Sequence, residues 1–116
     1  MEITITTTGV IDQIIITGSI DALTAPQLIN TINAHIHDGH PNVIADFSKV
    51  EFMSSAGLRA ILASVKEARA NGGDFRLAAP QPNVEKVLKM SGFHNIVKVF
   101  TNVDDALASF ESQNNG

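Results

Sequence analysis

The sequence predicts a single α/β domain, a mixed sheet of four to five strands with about four helices. Three observations predict it. Strand-like and helix-like segments alternate along most of the chain, which is the pattern of a largely parallel sheet with right-handed crossovers. The first two strand-like segments are separated only by the turn-forming Thr8-Gly9, so they read as a hairpin and make the sheet mixed. The 116 residues contain no repeat, linker or low-complexity block, and a core of this size folds without disulfides.

Each element has a local cause. Ile3 and Ile5 alternate with threonines in the first strand, and Val10 to Thr17 is a β-branched run that Gly18 is expected to end. Ala25, Leu28, Ile29, Ile32 and Ile36 then form the apolar stripe of a helix. Thr24-Ala-Pro-Gln27 reads as its capping box, with Pro26 early enough to cost little. Asp38-Gly-His-Pro41 stops that helix, and Val43 to Phe47 is a short buried strand. A second helix follows Ser54-Ser55, with Leu58, Ile61, Leu62 and Val65 on its buried face and Asn71-Gly-Gly73 at its end. Phe75 to Ala78 is a strand, and Pro80-Gln-Pro82 opens a third helix carrying Val84, Val87 and Leu88 that Ser91-Gly92 closes. Val97 to Phe100 is a last strand. Asn102 caps a fourth helix whose Val103, Ala106, Leu107 and Phe110 face inward, with Asp104 and Asp105 complementing its dipole. The domain is expected to span residues 1–110, with 111–116 a frayed, disordered tail.

Composition narrows the function. Without cysteine there is no disulfide framework and no thiolate chemistry, which fits a cytoplasmic protein. No basic stretch precedes an apolar run at the amino terminus, and no segment approaches the ~20 apolar residues of a membrane span. A formal charge of -4, with eight Lys and Arg scattered along the chain, argues against direct nucleic-acid binding and for protein or small-molecule partners. No glycine-rich phosphate loop or nucleophile–base pair marks an enzyme, and no cofactor is expected. His35, His37 and His40 are set aside as metal ligands, because residues two apart on a helix point to different faces and Asp38 is the only carboxylate close by in sequence. His94 stands alone and reads as a surface or loop residue. Asp12, Asp104, Asp105 and Glu111 read as solvated charges.

The most informative segment is Val43 to Leu58, which delivers two serines to a helix start straight after an apolar strand. A serine there caps the helix, worth about 1 kcal/mol, or carries a phosphate that the freed amides and the helix dipole tolerate. Gly57 either leaves the backbone open to a modifying enzyme or permits close packing of the helix on the sheet. Leu58 reads chiefly as core. Asp21, Leu23 and Thr24 fall in the loop before the first helix, at the same end of the sheet as the serines if the two strands are parallel. There Asp21 serves an interface or an Asx turn, and Thr24 is mainly a cap. Met90 either covers a partner surface or packs into the core.

Gly18 to Ala25, Asp46 to Leu58, and Gly72-Gly73 through Lys89-Met-Ser-Gly92 together resemble the STAS domain family, and more narrowly the bacterial anti-sigma factor antagonists. The resemblance is nearly end to end. It implies a STAS-like domain with helices packed mainly on one face of the sheet, and a phosphoacceptor two residues before the Gly57-Leu58 pair, at Ser55. The unmodified form would bind an anti-sigma factor serine kinase and free its target, phosphorylation would abolish binding, and a metal-dependent serine phosphatase would restore it. Partner contacts would come from Asp21, Leu23, Thr24, Ser54, Gly57, Leu58 and Met90. Where the family often has aspartate before the acceptor this chain has Ser54, which makes Ser54 an alternative acceptor. It also motivates a second reading, a non-phosphorylated STAS scaffold or accessory subunit of a transport or signalling complex. A monomer or weak dimer is expected.

Overall fold

The structure, a computed structural model, describes residues 1–114. Five strands lie side by side in chain order, β1 (Glu2–Thr8), β2 (Ile11–Ile20), β3 (Asn42–Met53), β4 (Asp74–Ala78) and β5 (Val99–Phe100). β1 and β2 pair antiparallel as the expected hairpin, and all later pairs are parallel. The helices are α1 (Ala25–His37), α2 (Ser55–Ala70), α3 (Pro82–Met90) and α4 (Val103–Asn114), with a 3-10 turn at Phe93–Asn95.

Strand alternation divides the core. Ile14 and Ile16 of β2, Val43, Ala45 and Phe47 of β3, and Phe75 and Leu77 of β4 face α1, α2 and α3, where they bury Leu28, Ile32, Ile61, Val65, Val84 and Leu88. Ile11, Ile44 and Ala78 point the other way and pack against Ala106 and Phe110 of α4. Three helices therefore share one face and α4 covers part of the other. Buried Arg76 stitches α4 down: its guanidinium carbon lies 4.0 Å from the Phe110 ring centroid and its Nη1 donates to Ser109 Oγ at 2.6 Å.

Four boundaries differ from expectation. β3 runs to Met53 instead of stopping at Phe47, because two bulges let it stay paired with β2; Ile15 faces Asp46 but Thr17 faces Lys49, and Gly18 faces Val50 but Ser19 faces Phe52. Asp46 supports the first bulge by accepting the Ser48 amide at 3.0 Å. Gly18 lies inside β2, where its φ of +107° provides a conformation that other residues resist. The last strand is only two residues long. α4 extends past the 110 boundary through Asn114, so 111–114 are helical where a tail was expected, and 115–116 lie outside the described residues.

Both ends of α2 meet crowded backbone. At its carboxyl end Gly72, with φ +86°, turns the chain, and a Cβ on Gly73 would sit 2.2 Å from the Pro41 carbonyl oxygen. Gly73→Ala is expected to lose about 1–3 kcal/mol through overpacking; equal urea midpoints for variant and wild type would contradict this. Asp74, at the start of β4, accepts from the Phe75 amide and from Arg69 and Arg76. Burial pushes its carboxyl up, but those donors together outweigh it and hold the carboxyl below the usual aspartate range. A depressed carboxyl stabilises the fold fully above its unfolded value and loses that contribution as pH falls through the folded one. Asp74→Asn should therefore be less stable than wild type at neutral pH, with the gap closing progressively below about pH 4. A gap that stays constant in denaturation series from pH 7 to pH 3 would exclude this assignment.

Candidate functional site

The parallel pairing of β2 and β3 places the Asp21–Thr24 loop and the serine pair at one end of the sheet. Ile20 and Met53 are paired at the strand ends, and the Ser54 amide donates to the Ile20 carbonyl at 2.9 Å. α2 begins against the same carbonyl. Gly57 is buried there, and a Cβ on it would lie 2.3 Å from Ile20 O and 2.8 Å from Ile20 Cγ2. Close packing therefore requires the glycine, and the helix cannot enter at this depth with any other residue. Leu58 is half-buried against the main core.

The two serines differ in their surroundings. Ser54, with extended backbone (φ -87°, ψ 174°), is the N-cap, and its Oγ accepts the Gly57 amide at 3.2 Å. Ser55 is the first residue of α2 and is exposed; among the described residues its hydroxyl makes no hydrogen bond. Ser54 thus caps the helix without placing a negative charge beside Ser55. One turn on, at i+4, Arg59 is exposed and forms no ion pair among the described residues.

The neighbouring loop is organised by Asp21, not by the expected capping box. Asp21 Oδ1 accepts from the Leu23 and Thr24 amides at 2.9 and 3.1 Å, an Asx turn. Thr24 occupies the N-cap position of α1, but its hydroxyl turns back, accepting from the Asp21 amide and donating to the Ser19 carbonyl, both at 2.9 Å. Leu23 is left 91% exposed at the loop tip. Phe52, 53% exposed and paired with Ser19, stands beside this loop and was not anticipated. Its signal was hidden by the bulge that breaks the strand's alternation. Met90 is 80% exposed, which removes its core-packing alternative. It closes α3 at the far end from Gln81 and Asn83, whose side chains hold the start of that helix to the Ser48 and Glu51 carbonyls.

The histidines go elsewhere. His35 Nδ1 and His40 Nδ1 lie 3.0 and 3.3 Å from the two oxygens of Asp12, and His37 pairs with Glu67 at 2.6 Å. Asp12 is fully buried, contrary to its reading as a solvated charge, and Thr7 donates to it as well at 2.8 Å. The contact with His37 holds the Glu67 carboxyl below its usual range despite exposure. Among the described residues no group of three His, Cys, Asp or Glu is arranged to hold a metal ion, and no helix is long and apolar enough to cross a membrane.

A model of the STAS domain matches residues 2–106. The Bordetella bronchiseptica protein BtrV, assigned as an anti-sigma factor antagonist, is 32% identical over 95 residues, covering 82% of each chain. The crystal structure of an anti-sigma factor antagonist from Mycobacterium paratuberculosis superposes with a TM-score of 0.85 at 27% identity, covering 93% of this chain and 92% of that one. SpoIIAA of Bacillus shares the fold in its unphosphorylated form, with a TM-score of 0.82 at 23% identity over 96% of this chain and 97% of its own. In its phosphorylated form the TM-score is 0.73. Matched over most of its length by the family model and by these relatives, the chain belongs to the STAS domain family, in its group of anti-sigma factor antagonists.

Proposed function

We propose that this chain is the antagonist component of a phosphorylation-controlled partner switch in the cytoplasm, acting by binding and not by catalysis. Unmodified, it binds an anti-sigma factor serine kinase and releases that protein's target; phosphorylation of Ser55 ends the binding, and a metal-dependent serine phosphatase restores it. The observation that carries this reading is the division between the serines: Ser54 holds the helix cap, so the exposed Ser55 hydroxyl is open to modification at no cost to the fold. The existence of SpoIIAA in both unphosphorylated and phosphorylated forms supports it by likeness of fold.

The proposed docking surface is the Asp21 loop with Leu23 and Thr24, the first turn of α2 with Ser54, Gly57 and Leu58, the newly found Phe52, and Met90 as an outlying contact. Leu23 and Phe52 supply apolar contact, while Gly57 acts indirectly by setting the depth of the helix. A phosphate on Ser55 adds about -1.5 to -2 charges beside a surface fitted to a neutral hydroxyl, and a mismatched charge at an interface costs several kcal/mol. The fold itself should be untouched, because an anion at a helix amino terminus is favourable.

Incubation with the cognate kinase and ATP should add one phosphate to wild type and none to Ser55→Ala, read by intact mass. Ser55→Ala should bind the kinase as wild type does, and Ser55→Asp should bind at least tenfold more weakly. Absence of a mass gain, together with undiminished binding by Ser55→Asp, would leave the scaffold reading in its place. Ser54→Ala should lose about 1 kcal/mol of stability with its cap and still accept phosphate on Ser55; transfer of the label to another residue would refute the assignment. Phosphorylation should also raise the melting temperature through an i,i+4 pair with Arg59, and Arg59→Gln should reduce that rise.

A further inference from the structure

The outer edge of the sheet is unprotected. β1 is an edge strand of seven residues, Glu2 to Thr8, with no proline, no lysine and no bulge against β2. Its alternate N–H and C=O groups point away from β2 and, among the described residues, have no ladder partner. Natural edges of this length usually carry a device that discourages pairing, and here the one charge is Glu2 at the strand's end.

The geometry points to a second copy of this chain as the occupant, pairing β1 with β1 antiparallel about a two-fold axis at Ile5 to form a continuous ten-stranded sheet. The strand is self-complementary in that register. Ile5, its midpoint, meets Ile5; Thr4 meets Thr6, Ile3 meets Thr7, and Glu2 meets Thr8, so no like charges oppose each other. Ile3 and Ile5 face the main core but are only half-buried, and the pairing would cover them further. On the opposite face Thr4 and Thr6 are exposed and would form two equivalent Thr–Thr contacts across the axis. A contact confined to one strand from each chain is smaller than the roughly 1,200–2,000 Å² of stable interfaces, so the dimer dissociates on dilution.

Sedimentation of the full chain from about 1 μM to about 1 mM, a range chosen to bracket a small interface, tests this in three proteins. Wild type should associate reversibly within that range. Thr4→Glu with Thr6→Glu places like charges in both 4–6 pairs and should weaken association roughly tenfold or more. Thr4→Lys with Thr6→Glu places opposite charges in the same pairs and should associate at least as tightly as wild type. Both positions are exposed, and circular dichroism confirms that the variants are folded. A wild-type monomer at every concentration overturns the proposal. So does a dimer indifferent to the paired glutamates, which would use another surface, or failure of the Lys/Glu variant to associate, which would reject the register.

Discussion

The carbonyl of Ile20 is the point on which the architecture turns. It ends β2, accepts the Ser54 amide, and lies so near α2 that position 57 can hold nothing larger than hydrogen. That close approach brings the Asp21 loop and the first turn of α2 into one surface and sets how far Ser55 stands out from the sheet. With a larger residue at 57, α2 would lift away from β2. The loop and the serine would then separate even with every strand in place.

A second set of constraints acts at the opposite end of β2. Asp12 is a carboxylate out of contact with water, and burying one without partners is costly. Thr7, His35 and His40 supply three polar contacts to it, which tie the hairpin, the end of α1 and the loop before β3 together. α1 is thereby fixed at its carboxyl end by Asp12 and at its amino end by the Asp21 turn. On the far side of the sheet, Arg76 performs a comparable task for α4, buried with its charge spread over Asp74, Ser109 and the face of Phe110.

Much of this was legible in the sequence because its causes are local. The apolar stripes of α1 and α2, the glycines that end α2 and α3, and the Asn102 cap of α4, which accepts the Asp105 amide at 2.8 Å, follow from residues within a few positions of one another. What escaped depends on distant pairing. The second half of β3 exposes two residues for each one it buries, Val50 and Met53, because bulges replace its alternation, so it resembles a polar loop until β2 is alongside. Asp12 looks solvated until His35 and His40, more than twenty residues on, are folded against it. Thr24 and Gln27 have the spacing of a capping box, but Ser19 and Asp21 compete for the threonine hydroxyl and win it. For the serines, sequence identified the position and left two roles open; the geometry gives the cap to Ser54 and leaves the Ser55 hydroxyl exposed.

The Asx turn at Asp21 has a consequence for recognition. Leu23 is held at the tip of a loop whose conformation is already set by three hydrogen bonds from or to Asp21 and one to Ser19. An exposed leucine on a floppy loop would lose conformational entropy on docking, and that loss would subtract from affinity. Here the backbone is ordered before any encounter, so in the proposed docking a partner would meet a pre-organised apolar knob. A pre-ordered surface favours rigid-body association, and under the proposed switch the affinity for each partner would be set chiefly by how fast it leaves.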